Sequence, residues 1–191
     1  MKKYLILVVV LMATTNLFAQ RQAGAFTIQP RIGISAADFN NTSDTEARVG
    51  LVAGVEYENM LTDRFSFAAG LNYSQQGAEL EKTDVKWKLD YLTIPLTANF
   101  YVWKGLALKA GLQPGLKLSA KFDAGKAEAD IKEDVKSFDL AIPVGLSYDF
   151  GGFVIDARYN FGVLKVVDGY DMGYDMKNLA FQLTLGYKFA F

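Results

Sequence analysis

The side chains able to do chemistry in this 191-residue chain are limited in kind, because it contains neither histidine nor cysteine. Ser-His-Asp and Cys-His nucleophilic systems, histidine-based metal sites and disulfides are thereby excluded. What remains is a set of charges placed in otherwise apolar stretches: Arg31, Lys109, Lys117, Arg158 and Lys188 against Glu56, Glu58, Asp139, Asp149 and Asp156, five of each sign. Equal numbers of opposite charges in apolar surroundings point to pairing, since an unpaired buried charge costs several kcal/mol. The chemistry expected is therefore a structural ion network, carried by Arg31, Glu56, Glu58, Lys109, Asp149, Asp156, Arg158 and Lys188. Arg31 is expected within reach of Glu56 and near Lys188. A proton or ion path and a catalytic acid pair are the alternatives. Glu56 and Glu58 lie two apart on one extended segment and face the same way, but nothing beside them marks either as a tuned acid. GxGxxG and P-loop motifs are absent, so no catalytic residue, cofactor or metal is expected.

A second concentration of chemistry is the stretch DGYDMGYDM, where Asp168, Tyr170, Asp171, Tyr174 and Asp175 bring acids and aromatics together. Such a loop can bind a cation, a sugar or a protein surface; the plainer reading is a solvated loop with tyrosines near lipid headgroups. The stretch from Lys121 to Lys136 alternates in charge sign and reads as a solvated hairpin extension.

The elements that must position these residues are strands. In the closing stretch NLAFQLTLGYKFAF, every second residue from Leu179 to Phe191 is apolar, a period of two. The same pattern recurs over 24–36, 49–60, 65–76, 89–102, 106–118, 138–150, 153–164 and 178–191, each long enough to cross a bilayer as a tilted strand. Three connections are tight, at 61–64, 103–105 and 151–152, and four are long and polar. Short turns at one end and long loops at the other are the asymmetry of an outer-membrane barrel, whose short turns and termini lie in the periplasm. The sequence thus predicts an all-β fold, an eight-stranded antiparallel transmembrane barrel in up-and-down order. Pro30, Pro95, Pro114 and Pro143 fall inside the strands, where bulges or bends are expected. LTIPLTANFYVWKGLAL from Leu92 and LAIPVGLSYDFGGFVI from Leu140 form a weak repeat that suits two related hairpins.

The two faces of these strands decide which side meets lipid. One carries Ile28, Ile32, Leu51, Phe67, Leu71, Leu108, Ile142, Leu146, Ile155 and Phe161 with essentially no charge, too bulky a set for the inside of eight strands. The other mixes glycines, amides, hydroxyls and the charges above. Aromatics gather beside the tight turns, at Tyr57, Phe65, Phe100, Trp103, Phe150, Phe153, Phe189 and Phe191, as an interfacial girdle. A soluble, lipocalin-like barrel with the apolar face inward is the fold-level alternative.

Residues 1–19 read as a secretory signal peptide: Lys2 and Lys3, an apolar run from Tyr4 to Met12, and small and polar residues up to cleavage after Ala19. Residues 20–191 form the barrel domain. A net charge of −1 without a basic block gives no footprint for nucleic acid.

DYLTIPL from Asp90, AGLQPGLKLSAKF from Ala110, the closing LGYKFAF and a signal ending in Ala-Gln resemble the PorT-like outer-membrane β-barrel family common in Bacteroidetes. The last strand, with Tyr187, Phe189 and Phe191, looks like the assembly signal of bacterial outer-membrane proteins, which implies the barrel assembly machinery as a partner. The resemblance implies fold and location, and one member of the family is implicated in protein secretion. The expectation is a Gram-negative outer-membrane barrel with a filled lumen and no enzymatic activity. It would be embedded in outer-membrane lipid and engage an envelope or secretion protein through loops or periplasmic turns. A small-solute channel or binding barrel is the alternative.

Overall fold

The computed structural model describes residues 22–40, 45–80, 85–124, 128–131, 135–166 and 176–191. The signal stretch 1–19 and the loop residues Asp168, Tyr170, Asp171, Tyr174 and Asp175 lie outside them.

Alternating side chains produce strands throughout the described residues, because period-two patterning buries one face of an extended chain and leaves the other outside. They are β1 (Phe26–Phe39), β2 (Thr45–Met60), β3 (Phe65–Leu80), β4 (Lys86–Thr93), β5 (Leu96–Trp103), β6 (Leu106–Asp123), β7 (Glu128–Asp130), β8 (Phe138–Phe150), β9 (Phe153–Lys165), β10 (Lys177–Tyr187) and β11 (Phe189–Ala190). All pairings are antiparallel and join successive walls of the sheet, and β1 closes it by pairing with β10 and β11. β4 and β5 together make one wall strand between β3 and β6, and β10 with β11 makes the last, so the barrel has eight walls in up-and-down order. The short β7 pairs only with the far end of β6.

Three details depart from the sequence reading. The segment 89–102 is two strands broken at Ile94–Pro95, because proline has no N–H to give the ladder. The last strand is interrupted at Lys188, whose backbone N–H turns aside to the Gly152 carbonyl at 2.8 Å. Pro30, Pro114 and Pro143 cause no register shift; the shifts fall instead at Ala47/Val52, Asp90/Tyr91, Tyr101/Trp103 and Lys177/Leu179.

The tight turns follow their residue types. Gly151 and Gly152 both have positive φ, 58° and 87°, the backbone of a two-residue hairpin turn that matches strand twist. At the 61–64 turn, the Thr62 hydroxyl accepts the Phe65 N–H at 3.0 Å.

Outside the barrel the large apolar residues stand exposed on every wall, among them Ile32, Leu51, Leu71, Leu112, Leu146, Ile155 and Phe161. At the tight-turn end the rings touch one another: Phe26 stacks on Phe191 at 5.5 Å, Phe150 on Phe153 at 6.0 Å, and Tyr187 meets Phe153 edge-on at 5.1 Å. The buried interior is mostly polar. A water-soluble barrel would reverse this arrangement, so the lipocalin-like alternative fails on the distribution of its faces.

Candidate functional site

The candidate site is the lumen, and its inward residues follow from register. Glu56 on β2, Arg31 on β1, Lys109 on β6, and Asp156 and Arg158 on β9 all point inward and are buried. Arg31 Nη1 and Arg158 Nη2 donate to Glu56 Oε2 at 2.8 and 2.6 Å, and Lys109 Nζ donates to Glu56 Oε1 at 2.7 Å. Lys109 also reaches Asp156 Oδ2 at 2.9 Å, and Arg158 holds both oxygens of Asp156 at 2.6 and 2.7 Å. Arg31 Nε is engaged by the Asn72 amide oxygen at 3.1 Å. Because β2 stands three walls away from both β6 and β9, the bonds from Lys109 and Arg158 to Glu56 cross the lumen.

Closer to the tight turns lies a second cluster. Lys188 pairs with Glu58 at 2.6 Å and Asp149 at 2.8 Å. Its Nζ also donates to the Tyr101 hydroxyl at 2.9 Å, and that hydroxyl donates to Glu58 Oε1 at 2.8 Å. Asn99 Nδ2 and the Ser66 hydroxyl complete the shell around Glu58. Three cations meet two carboxylates in the first cluster and one meets two in the second, so the eight charges balance. Arg31, expected near Lys188 as well as Glu56, has its bonds in the first cluster, and Lys188 bonds to other carboxylates.

Both oxygens of Glu56 and of Asp156 accept from cations. A carboxylate occupied in this way has little capacity left to act as a base or to ligate a metal. Charged hydrogen bonds of this kind hold position, and losing one partner leaves the rest buried and unpaired.

Toward the loops the lumen changes character. Above the charges lies a belt of amides and hydroxyls, in which Gln182 donates to Ser74 at 3.1 Å and Asn178 to Gln76 at 2.8 Å, joining β10 to β3. Above that belt, Phe39, Ala78, Leu89, Tyr91, Ala120, Val135 and Val166 form an apolar cluster, with Trp87, Ile131 and Met176 packed against it. Lys117 and Asp139 belong to this loop-side half, apart from both charge clusters. The Lys117 amine donates to the Val135 carbonyl, and Asp139 Oδ1 accepts the Leu140 N–H at 2.9 Å. Sequence reasoning missed the apolar cap, although Phe39, Leu89 and Tyr91 share the parity of the lumen residues on their strands. It also missed Tyr101, Asn99 and Asn72, neutral side chains whose importance lies in the charges they meet.

An apolar outer band, an aromatic girdle and a closed, polar-lined interior define an integral outer-membrane β-barrel. The family model of the outer membrane protein β-barrel domain matches residues 18–168. The chain belongs to that family and resides in the outer membrane. No curated protein matches it significantly. Among solved structures, Ail, the attachment invasion locus protein of Yersinia pestis, aligns with a TM-score of 0.54 at 19% identity, covering 88% of this chain and 100% of that one. Neisserial surface protein A aligns with a TM-score of 0.53 at 17% identity, covering 88% of this chain and 99% of that one. These likenesses concern the eight-stranded fold.

Proposed function

We propose that this protein is a non-conducting, non-enzymatic outer-membrane scaffold that engages an envelope or secretion component through its loop side. The observation that carries this reading is the double closure of the lumen, by the ion clusters near the tight turns and by the apolar cap near the loops. The tight turns offer a partner little surface, whereas β2, β3, β4 and β6 run on to Thr45, Leu80, Lys86 and Asp123 at the loop end. In this reading the loop with Asp168, Tyr170, Asp171, Tyr174 and Asp175 belongs to the contact surface. Residues 1–19 direct export, and Tyr187, Phe189 and Phe191 present the last strand to the assembly machinery. A closer kinship with PorT-like barrels, and with it a link to protein secretion, belongs to the same proposal.

Planar-bilayer recording of the purified, refolded barrel tests the scaffold against the channel. The expected result is a silent bilayer at protein concentrations where a porin gives discrete steps. Reproducible single-channel steps would overturn the scaffold reading in favour of a solute channel.

A further inference from the structure

The polar atoms that the lumen leaves without a protein partner are not scattered. Among the described residues they are Thr27 Oγ1, Gln29 Nε2, Ser35 Oγ, Asn72 Nδ2, Asp149 Oδ1, Arg158 Nη1, Asn160 Oδ1, Asn178 Oδ1 and Thr184 Oγ1. Seven of the nine stand on three consecutive walls at the seam where the barrel closes, Thr27, Gln29 and Ser35 on β1, Asn178 and Thr184 on β10, and Arg158 and Asn160 on β9; Asn72 on β3 and Asp149 on β8 lie off it. Register orders them by height. Thr27 lies opposite Ala190 near the tight turns, and Thr184 pairs with Gly33 on one side and Asp156 on the other. Gln182 is flanked by Ser35 and Arg158, Ala180 pairs with Asn160, and Asn178 sits opposite Phe39 beneath the apolar cap.

Alternate residues on a strand are about 6.6 Å apart, a gap that one or two water molecules bridge between successive unpartnered groups. The opposite wall behaves differently. On β5, Asn99 Nδ2 donates directly to Glu58 at 2.9 Å and to Ser66 at 3.1 Å. Donors (Gln29, Arg158), acceptors (Asn160, Asn178) and hydroxyls (Thr27, Ser35, Thr184) mix along the seam. A single ion would satisfy one kind and repel the other, whereas water serves all three.

We propose that the seam wall β9–β10–β1 carries a file of bound water molecules, running from the Thr27 end up to Asn178 and ending under the cap. The barrel is then closed to solutes yet internally hydrated along one wall.

Nuclear magnetic resonance of the full barrel in lipid nanodiscs tests this through magnetisation transfer from water to side-chain amides. Transfer to Gln29 with none to Asn99 is expected; absence of transfer to Gln29 would overturn the file. Thr184→Val gives a second readout that keeps side-chain shape. If Thr184 is bonded to water, the substitution lowers the folded-to-unfolded ratio in urea titration about fivefold. If the wall is dry, removing an unpartnered hydroxyl leaves that ratio unchanged or raises it, and the file is refuted at its midpoint.

Discussion

The two halves of the lumen close the same barrel by opposite physical means. Near the tight turns, closure comes from charges whose partners stand on other walls, so that Glu56 alone receives bonds from β1, β6 and β9. Near the loops it comes from contact among Phe39, Leu89, Tyr91, Val135 and Val166, where no single pair is decisive. The first arrangement is directional and fails sharply when one member is lost, because the remaining charges stay buried. The second is non-directional and weakens in proportion to the volume removed. Strands supply the ion clusters except for Lys188, which sits at the break between β10 and β11, while Val135 and Val166 of the cap lie outside the long strands, in the segments that lead to the loops.

The comparison breaks most visibly at Glu56. Glu56→Gln leaves Arg31, Lys109 and Arg158 to share Asp156, and a loss of about 3–5 kcal/mol is expected from removing one partner of a buried network. Gel mobility before and after boiling, followed by urea titration in vesicles, reads the effect; a variant as stable as the parent would remove the network from the account of this fold. A smaller loss is expected in the cap. Leu89, with 0% exposure, lies on the lumen face of β4, and Leu89→Ala should cost about 2–3 kcal/mol by the same titration. That loss should be insensitive to pH across the carboxylate range. The smallest effect belongs to an ion pair in water. Lys86 and Glu79 pair at 3.0 Å with side chains 40% and 33% exposed, so Lys86→Ala should change stability by less than about 0.5 kcal/mol, and less still in high salt. Equal losses for Glu56→Gln and Lys86→Ala would mean that the buried clusters are no more than surface pairs.

Much of this architecture is written locally. Alternation from Phe26 to Ile34 and from Phe181 to Phe191 assigns each residue to a face without knowledge of any neighbour strand, because side-chain direction in a strand depends only on parity. Turn chemistry at Gly151–Gly152 is equally local. Pairing across the lumen is not. Glu56 and Arg158 are 102 positions apart, and a period-two pattern carries no information on which inward residues share a height. Equal charge counts implied neutralisation, but the division into a cluster of five around Glu56 and a cluster of three around Lys188 depends on strand register. The proline expectation fared unevenly for a related reason: Pro95 breaks its strand, while Pro30 and Pro143 are accommodated without a shift in register.

By itself, then, the sequence determined that this chain forms strands with an apolar outer face and a charged inner one, and hence that it closes as a barrel in a membrane. Those properties follow from composition and parity, which each residue carries with it. Tertiary structure decided that Lys109 meets Glu56 and Asp156, that Lys188 holds Glu58 and Asp149, and that Phe39, Leu89 and Val135 pack together at the loop end. Those contacts join walls distant in the chain, and only closure of the sheet, with its particular register, brings their side chains to the same height.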